Sequence, residues 1–236
     1  MNGSDLRWIE AIDETWPAAR YETLGLWTLR EGQGGGNRVS AATLTKGASV
    51  PDGASIDAAE AAMRDMGQTP LFMIRPDNSA LDEELKQRGY VVKEPVTIYA
   101  CDLKLLMGEA IPRVSVFTIW EPLAMMKEIW AAGGIGPERL AIMNRVKGIK
   151  TGFLARHADK PAGAAFAAMH GDVAMVHAVE ILANKRRSGM GRWIMRAAAF
   201  WAAEQGASQL SVICTEANVA ANGLYASLGL SVVGHY

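Results

Sequence analysis

The segment with the clearest potential for chemistry is Ile181–Gly191, which reads Ile-Leu-Ala-Asn-Lys-Arg-Arg-Ser-Gly-Met-Gly. The apolar run Val173–Ile181 that leads into it is typical of a strand. The run that leaves it has the apolar spacing of a helix, with Met190, Ile194, Ala197 and Trp201 on one stripe. Because the first turn of a helix has free N–H groups and the positive end of the helix dipole, this strand–turn–helix unit predicts a phosphate or pyrophosphate site.

The residues of this turn support binding of an anion. Glycines 189 and 191 let a ligand approach the backbone, and four basic residues surround them, Lys185, Arg186, Arg187 and Arg192. Two other phosphate motifs fit poorly. A dinucleotide-binding fingerprint would need a third glycine where Ile194 stands, and no P-loop lysine follows the glycines.

The spacing Arg186-x-x-Gly189-x-Gly191 resembles the pyrophosphate-binding motif of the GNAT superfamily of acyl-CoA N-acyltransferases. A strand at Gln209–Cys214 follows, and then Asn218-x-x-Ala221-x-x-Leu224-Tyr225, which resembles the second signature of that superfamily. The two motifs occur in the right order and separation. The resemblance is close over about the last half of the chain.

The resemblance implies a co-substrate and the residues that bind it. The co-substrate would be acetyl-CoA, with Asn218 on the pantetheine arm and Tyr225 near the thioester sulfur. The implied binding residues are Val179, Ile181, Arg186, Arg187, Ser188, Gly189, Met190, Gly191, Arg192, Asn218, Ala221 and Tyr225.

Acyl transfer to an amine needs a base for the amine, donors for the oxyanion and an acid for the leaving thiolate. Tyr225 is the candidate acid, and the alternative is an aromatic residue of the core. Glu180 and His177 are the candidate bases, with Glu216 as a third choice. The alternatives are a carboxylate paired with a nearby arginine, a satisfied core histidine, and proton transfer through water.

The geometry of one strand decides between these bases. Strict alternation would direct His177 and Glu180 to opposite faces unless a bulge intervenes. The resemblance implies such a bulge, at the point where the strand splays and exposes N–H groups to the thioester. His177 also matches a position that carries a base in some arylalkylamine-acetylating relatives.

The element pattern predicts an α/β fold with a mixed, largely antiparallel sheet flanked by helices. In the second half, strands near 114–119, 151–156, 162–169 and 173–181 precede the phosphate turn. A last strand at 231–236 completes the pattern, but there is no room for the seventh strand common in the superfamily. The exposed edge would then need covering, for which the other half of the chain is available.

The first half repeats the element order of the second. A helix at 56–66, a strand at 71–74, a helix at 81–88 and a strand at 90–99 follow one another, and Asn78 precedes Gly89 by the eleven residues that separate Asn218 from Gly229. The first copy has Leu85 in place of Tyr225 and lacks the basic glycine motif. We therefore expect two tandem acyltransferase-like folds, a degenerate one at 1–105 and a catalytic one at 106–236. The glycine-rich turn 32–36 would join two strands, at 24–30 and 38–44.

Composition limits the other function classes. The net charge is −1 for 236 residues, which gives no general argument for binding nucleic acid or an anionic membrane. Two distant cysteines, Cys101 and Cys214, predict buried free thiols rather than a metal site or a disulfide. Without a signal-like or spanning segment, we expect a cytoplasmic protein.

The resulting prediction is an acetyl-CoA-dependent N-acetyltransferase that acts on a primary amine of a small molecule or peptide. The alternative is a non-catalytic module that binds acyl-CoA or a partner, because one half has already lost the motifs. The identity of the amine and the oligomeric state are not indicated by the sequence.

Overall fold

The computed structural model describes residues 3–45, 47–48 and 50–236. The helices are α1 Gly3–Thr15, α2 Gly53–Asp65, α3 Ser79–Gln87, α4 Leu103–Leu106, α5 Ala124–Ala132, α6 Pro137–Arg145, α7 Met190–Glu204 and α8 Val219–Ser227. The strands are β1 Arg20–Leu24, β2 Trp27–Glu31, β3 Thr43–Leu44, β4 Val96–Asp102, β5 Val116–Ile119, β6 Lys150–His157, β7 Lys160–His170, β8 Val173–Ile181, β9 Gln209–Thr215 and β10 Ser231–His235.

The main sheet has seven strands in the order β10-β4-β9-β8-β7-β6-β5. All neighbours are antiparallel except β8 and β9, which are parallel and connected by α7. This architecture confirms the predicted mixed, largely antiparallel sheet flanked by helices. Strand β7, the third from the β5 edge of this sheet, is rich in alanine and buried on both faces, so helices can pack closely on each side.

Each face of the main sheet has its own helices. The buried stripe of α7, which includes Ile194 and Met195, packs with α4 and α8 against one face. The other face contacts α5 and α6 through a cluster around Phe166, and α1 through Ile12. No helix in the described residues is long and apolar enough to cross a membrane.

A strand from the first half of the chain completes the sheet of the second half. Strand β4 lies between β9 and β10, with Val96 opposite Thr215 at one end and Asp102 opposite Gln209 at the other. The other half of the chain therefore covers the edge that the sequence leaves open. The division into 1–105 and 106–236 stays a prediction, but the hydrogen bonds of β4 extend across it.

The predicted strand at 90–99 begins too early, because β4 and its pairing with β9 start at Val96. Residues 90–95 instead line a cavity, described below. The predicted strand at 71–74 is also wrong, since only Phe72 makes an isolated bridge, parallel to Ala42. This bridge joins the segments before and after α2, as the pairing of β8 with β9 joins the strands before and after α7. Both halves therefore contain two parallel extended segments connected by a helix.

The remaining strands form a small sheet, β1-β2-β3, that packs on α2 and α3. The hairpin between β1 and β2 turns at Gly25-Leu26. The glycines at 32–36 lie in the connection between β2 and β3, which pair antiparallel, so the prediction that they join two strands is confirmed. The predicted strand at 38–44 begins too early, since β3 is only Thr43–Leu44. Those glycines lead into a 3₁₀ turn, Asn37–Val39, and Gly34 and Gly36 have positive φ angles of 78° and 107°. The turn brings Arg38 to the main sheet.

Candidate active site

The site is organised around a notch between β8 and β9. These strands pair only from Val173 opposite Gln209 to Val176 opposite Val212, and beyond that point they separate. Because β8 and β9 no longer pair with each other there, the backbone N–H and C=O groups that face the notch are open to a ligand. The sheet thus provides a slot for an extended chain between two strands.

A β-bulge in β8 lies where the notch begins. His177 is opposite Phe166 and Glu180 is opposite Ala164, so two residues of β8 face one residue of β7. Ala178, inside the bulge, has a φ of +51°, which is rare for a residue with a side chain. The buried Trp130 on α5 donates a hydrogen bond from Nε1 to the Ala178 carbonyl at 2.8 Å, which stabilises the bulge.

A cavity of about 1080 Å³ opens from the notch. His177 and Ala178 line it from β8, and residues 213–215 line it from β9. The first half of the chain forms the opposite wall, mainly through residues 71–76 and 90–96. The two halves therefore enclose one cleft, large enough for a small-molecule ligand.

The bulge directs His177 and Glu180 to the same face of the sheet, because their partners on β7 are two residues apart. Sequence alternation alone would have separated them. Their surroundings nevertheless differ strongly.

His177 is buried and both of its ring nitrogens have partners. Thr15 donates its hydroxyl proton to the Ala11 carbonyl, so it accepts from His177 Nε2 at 2.8 Å. Arg38 can only donate, so His177 Nδ1 accepts from it at 3.3 Å. Burial, and to a lesser degree the Arg38 charge, lower the pKa of His177 well below its usual value. The ring is a neutral imidazole whose lone pair is already in use.

Glu180 is mostly buried, with 17% of its side chain exposed, and it lies 3.4 Å from Arg186. A Cβ on Gly133 would collide with the Glu180 carboxyl group, so the glycine at the end of α5 makes room for it. The carboxylate has several lone-pair sites, and Arg186 takes one of them. Its remaining lone pairs can accept hydrogen bonds from a ligand or from water.

The predicted phosphate turn has the geometry of an anion site. A 3₁₀ turn, Ala183–Lys185, follows β8, and Gly189 caps α7 with a φ of +81°. Among the described residues, the N–H groups of residues 187–192 have no hydrogen-bond acceptor, since the first such bond of the helix is from Trp193 to Gly189. Six consecutive donors are therefore available at the positive end of a 15-residue helix.

Both glycines of the motif also have a role in the fold. Gly189 has a backbone conformation that glycine adopts without strain. At Gly191, a Cβ would lie 2.9 Å from Leu224, so the absence of a side chain lets α7 and α8 approach. Glycine at these positions thus serves packing as well as access to the backbone.

The basic side chains of the turn are used in different ways. Arg186 donates to the Ile181 carbonyl at 3.2 Å in addition to its ion pair with Glu180. Arg192 is paired with Glu109, which also contacts Arg196 at 3.1 Å. Arg187 has a positive φ of 65° and, within the described residues, no ion pair. Of the three arginines predicted to bind CoA, Arg186 and Arg192 each form an ion pair, and Arg187 forms none within the described residues.

Substituting Gly189 tests this turn. We expect Gly189→Asn to fold normally, because asparagine tolerates the left-handed conformation and a Cβ there meets nothing closer than Trp193 at 3.8 Å. The new side chain would occupy the approach of a phosphate, so the Kd for CoA should rise about tenfold or more. Isothermal titration measures it.

The matched control is Gly206→Asn. Gly206 follows the other end of α7 with a φ of +88° and open space around it. This variant should bind CoA as the wild type does. Equal affinities for both variants would contradict the phosphate role of the turn.

Asn218 and Ala221 lie at the start of α8, where the Asn218 side chain accepts a hydrogen bond from the Ala221 N–H at 3.1 Å. The oxygen of Asn218 is therefore a helix cap, and its amide N–H₂ group, which has no acceptor in the described residues, can donate to a ligand. Ala221 is partly buried against the main core. Removing the Asn218 side chain would destabilise α8 as well as any contact to a ligand.

Tyr225 is buried, and its ring lies 5.5 Å from that of Tyr99. Burial, followed by the neighbouring Cys214 and Tyr99, raises the pKa of Tyr225. Within the described residues its hydroxyl has no hydrogen-bond partner, yet it is not fully shielded from solvent. The hydroxyl is therefore available as a donor.

Three residues of the site were missed by the sequence analysis. Thr15, Arg38 and Trp130 hold His177 and the bulge, but each is far from β8 in sequence. A polar residue on the apolar face of α1 is the only hint for Thr15. Both cysteines are free and buried, and the described residues contain no group of side chains suited to a metal ion.

Comparison with known proteins agrees with this geometry. Residues 124–230 match the model of the Acetyltransferase (GNAT) family, which covers the notch and the phosphate turn. The chain matches no curated protein.

Solved structures share the fold at low sequence identity. A GCN5-related N-acetyltransferase from Kribbella flavida is 19% identical, with a TM-score of 0.68 over 100% of this chain and 94% of that one. A conserved protein of unknown function from Staphylococcus epidermidis is 11% identical, with a TM-score of 0.66 over 92% and 91% of the two chains. A tandem GNAT protein from the clavulanic acid biosynthesis pathway is 14% identical, with a TM-score of 0.60 over 83% and 73%.

Proposed function

We propose that this chain, whose residues 124–230 belong to the GNAT superfamily, transfers the acetyl group of acetyl-CoA to a primary amine of a small molecule or peptide. Membership of the family supports an acyl-CoA-dependent acyltransferase in general. The observation that carries the finer proposal is the run of six free N–H groups that follows the notch, since a diphosphate there would direct the rest of CoA along the notch.

In this proposal, the pyrophosphate lies on residues 187–192 and the pantetheine arm extends between β8 and β9. The amide of Asn218 and the backbone of Val179 and Ile181 contact the arm. The thioester then lies near the bulge at Ala178, where N–H groups of β8 without a strand partner stabilise the oxyanion.

The amine enters from the cavity and its nitrogen attacks the thioester carbon. As the tetrahedral intermediate collapses, the carbon–sulfur bond breaks and the Tyr225 hydroxyl donates a hydrogen bond to the departing thiolate. Because the pKa of Tyr225 is raised, we assign it hydrogen-bond donation more than complete proton transfer.

Of the candidate bases, we propose Glu180. His177 already uses its lone pair to accept from Arg38, so we assign it a positioning role for Arg38 and the bulge. Glu180 keeps lone pairs free and lies beside the bulge, and it takes the amine proton directly or through a water molecule. Glu216 is exposed and lies 3.8 Å from His235, which makes it the weaker choice.

The first half of the chain is, in this proposal, a degenerate copy of the fold that no longer binds acyl-CoA. It lacks a basic glycine turn before α2, which begins instead at an Asp52 cap. Leu85, at the position that matches Tyr225, is buried in the small core. This half serves as the wall of the acceptor cavity.

Two measurements test the proposal. Isothermal titration should give saturable, one-site binding of acetyl-CoA to the full chain. A thiol-release assay with a panel of amines should then detect turnover above the hydrolysis background. Binding without turnover of any amine would favour a non-catalytic acyl-CoA-binding module, and no binding at all would overturn the proposal.

A further inference from the structure

We propose that the acceptor is an amino acid-like molecule, whose amine lies one or two carbons from a carboxylate that Arg38 binds. This inference rests on the proposed acetyl transfer and adds the substrate class. It is based on an arginine that faces the cavity without a counter-ion.

Arg38 lacks the carboxylate partner that two other arginines of the first half of the chain have. Arg30 and Arg75 share Asp13, at 3.1 and 3.2 Å. No carboxylate in the described residues forms an ion pair with Arg38, and its Nε is buried without a hydrogen-bond partner. Placing a guanidinium in a partly buried site without an anion is costly, so its retention there points to an anionic ligand.

The position of Arg38 is held by its neighbours. Its guanidinium lies over the Trp16 ring at 5.7 Å and contacts His177 at 3.3 Å. Trp16 and His177 stack in turn, with ring centroids 4.9 Å apart. The planar fork is thus oriented before a ligand binds, as a bidentate contact to a carboxylate requires.

The cavity as a whole favours an anion. Five basic side chains line its described part, Arg38, Arg75, Lys86, Lys93 and Arg139, against two acidic ones, Asp82 and Glu94. Arg139 comes from α6 and its guanidinium lies close to Gly36, next to the turn that carries Arg38. Two cations from opposite halves of the chain therefore flank the same region.

The contact between Arg38 and His177 limits the length of the acceptor. Arg38 contacts His177, and the adjacent Ala178 lies in the bulge beside which the thioester would react. A carboxylate on Arg38 therefore lies only a few bonds from the attacking nitrogen. Beyond it, the aromatic side chains of Phe72 and Tyr90 line the cavity and provide apolar surface for the rest of the molecule.

The experiment compares each of the twenty common amino acids with its carboxamide as acceptor, using the full chain and acetyl-CoA. For at least one amino acid, we expect kcat/KM about 10- to 100-fold above that of the amide, the range of a charge-assisted bidentate contact. Arg38→Leu should reduce this ratio to near one, and Arg38→Lys should leave an intermediate value. The amino acid and its carboxamide differ in amine basicity, but this difference is the same for every variant. It therefore cancels when the ratio of the two kcat/KM values is compared between variants.

The control is Arg156→Leu, which removes an ion pair with Asp159 at 3.6 Å outside the cavity lining and should keep the wild-type ratio. A second readout needs no turnover and no variant. In the presence of CoA, the wild type should bind the N-acetyl derivative of the preferred amino acid more tightly than its N-acetyl amide, by titration calorimetry.

The outcomes separate the two proposals. A protein that binds acetyl-CoA but prefers no carboxylate over its amide, in turnover or in product binding, overturns the inference and leaves acetyl transfer standing. A preference that survives in folded Arg38→Leu also overturns it. A protein that does not bind acetyl-CoA contradicts the proposed function itself.

Discussion

A Tyr225→Phe variant should lose about 10²-fold in kcat, while the KM for acetyl-CoA stays nearly constant. This is the lower end of the range for acid catalysis, because burial raises the pKa of Tyr225 and favours hydrogen bonding over proton transfer. The hydroxyl has no partner in the described residues, so its removal leaves no buried group unsatisfied and stability should change little. Steady-state kinetics with chemistry rate-limiting measure the effect.

The matched control is Tyr99→Phe, in the ring that contacts Tyr225. Tyr99 donates its hydroxyl to Asn222 at 2.9 Å, so this variant loses an internal hydrogen bond and about 1 kcal/mol of stability, but no catalysis. If the kcat of Tyr225→Phe equals that of Tyr99→Phe or that of the wild type, Tyr225 is a core aromatic residue and not the acid. Asn218→Ala is less informative, since it also removes the cap of α8.

The second large effect is expected from dividing the chain at the boundary between residues 105 and 106. Neither segment alone should fold to a cooperative, soluble domain, whereas co-expression of both should yield a stable complex. The reason is β4, which belongs to the first segment and pairs along its whole length with β9 and also with β10. Without β4, residues 106–236 have two strands with unpaired edges, which promote aggregation.

Circular dichroism, thermal melts and co-purification of the two segments test this prediction. Ile98→Pro in the first segment should abolish the complex, because proline cannot donate in a central strand and Ile98 lies between strands on both sides. Val92→Pro, at an exposed position before β4, is the control that should still assemble. A monomeric and cooperatively folded 106–236 segment would show that β4 is dispensable.

Local sequence patterns predicted the strand–turn–helix unit of the site well. The apolar run of β8, the glycine before α7 and the apolar stripe of α7 each depend on residues within a few positions of one another. The αL conformation at Gly189 was not among the predictions, and glycine is the residue that adopts it with the least strain. Short-range sterics and burial of one helix face are sufficient to specify such a unit.

The position of β4 could not be predicted in this way. Its sequence indicates a buried strand, but nothing local selects β9 and β10 as its partners over the strands of its own half. Similarly, residues 90–95 look like the start of that strand, yet they line the cavity. Strand pairing is decided by which edges are open in the assembled core, and that depends on the whole chain.

The role of His177 shows the same division. The sequence by itself determined that a histidine and a glutamate stand on the strand that leads to the phosphate turn, and it left open whether either is a base. The tertiary structure decided that the His177 ring is neutral and that both of its nitrogens are hydrogen bonded. Its partners are Thr15 on α1 and Arg38 in the turn Asn37–Val39, which are 162 and 139 residues away in the sequence. A proton's position depends on the partners of each nitrogen, and those partners come together only when distant segments pack.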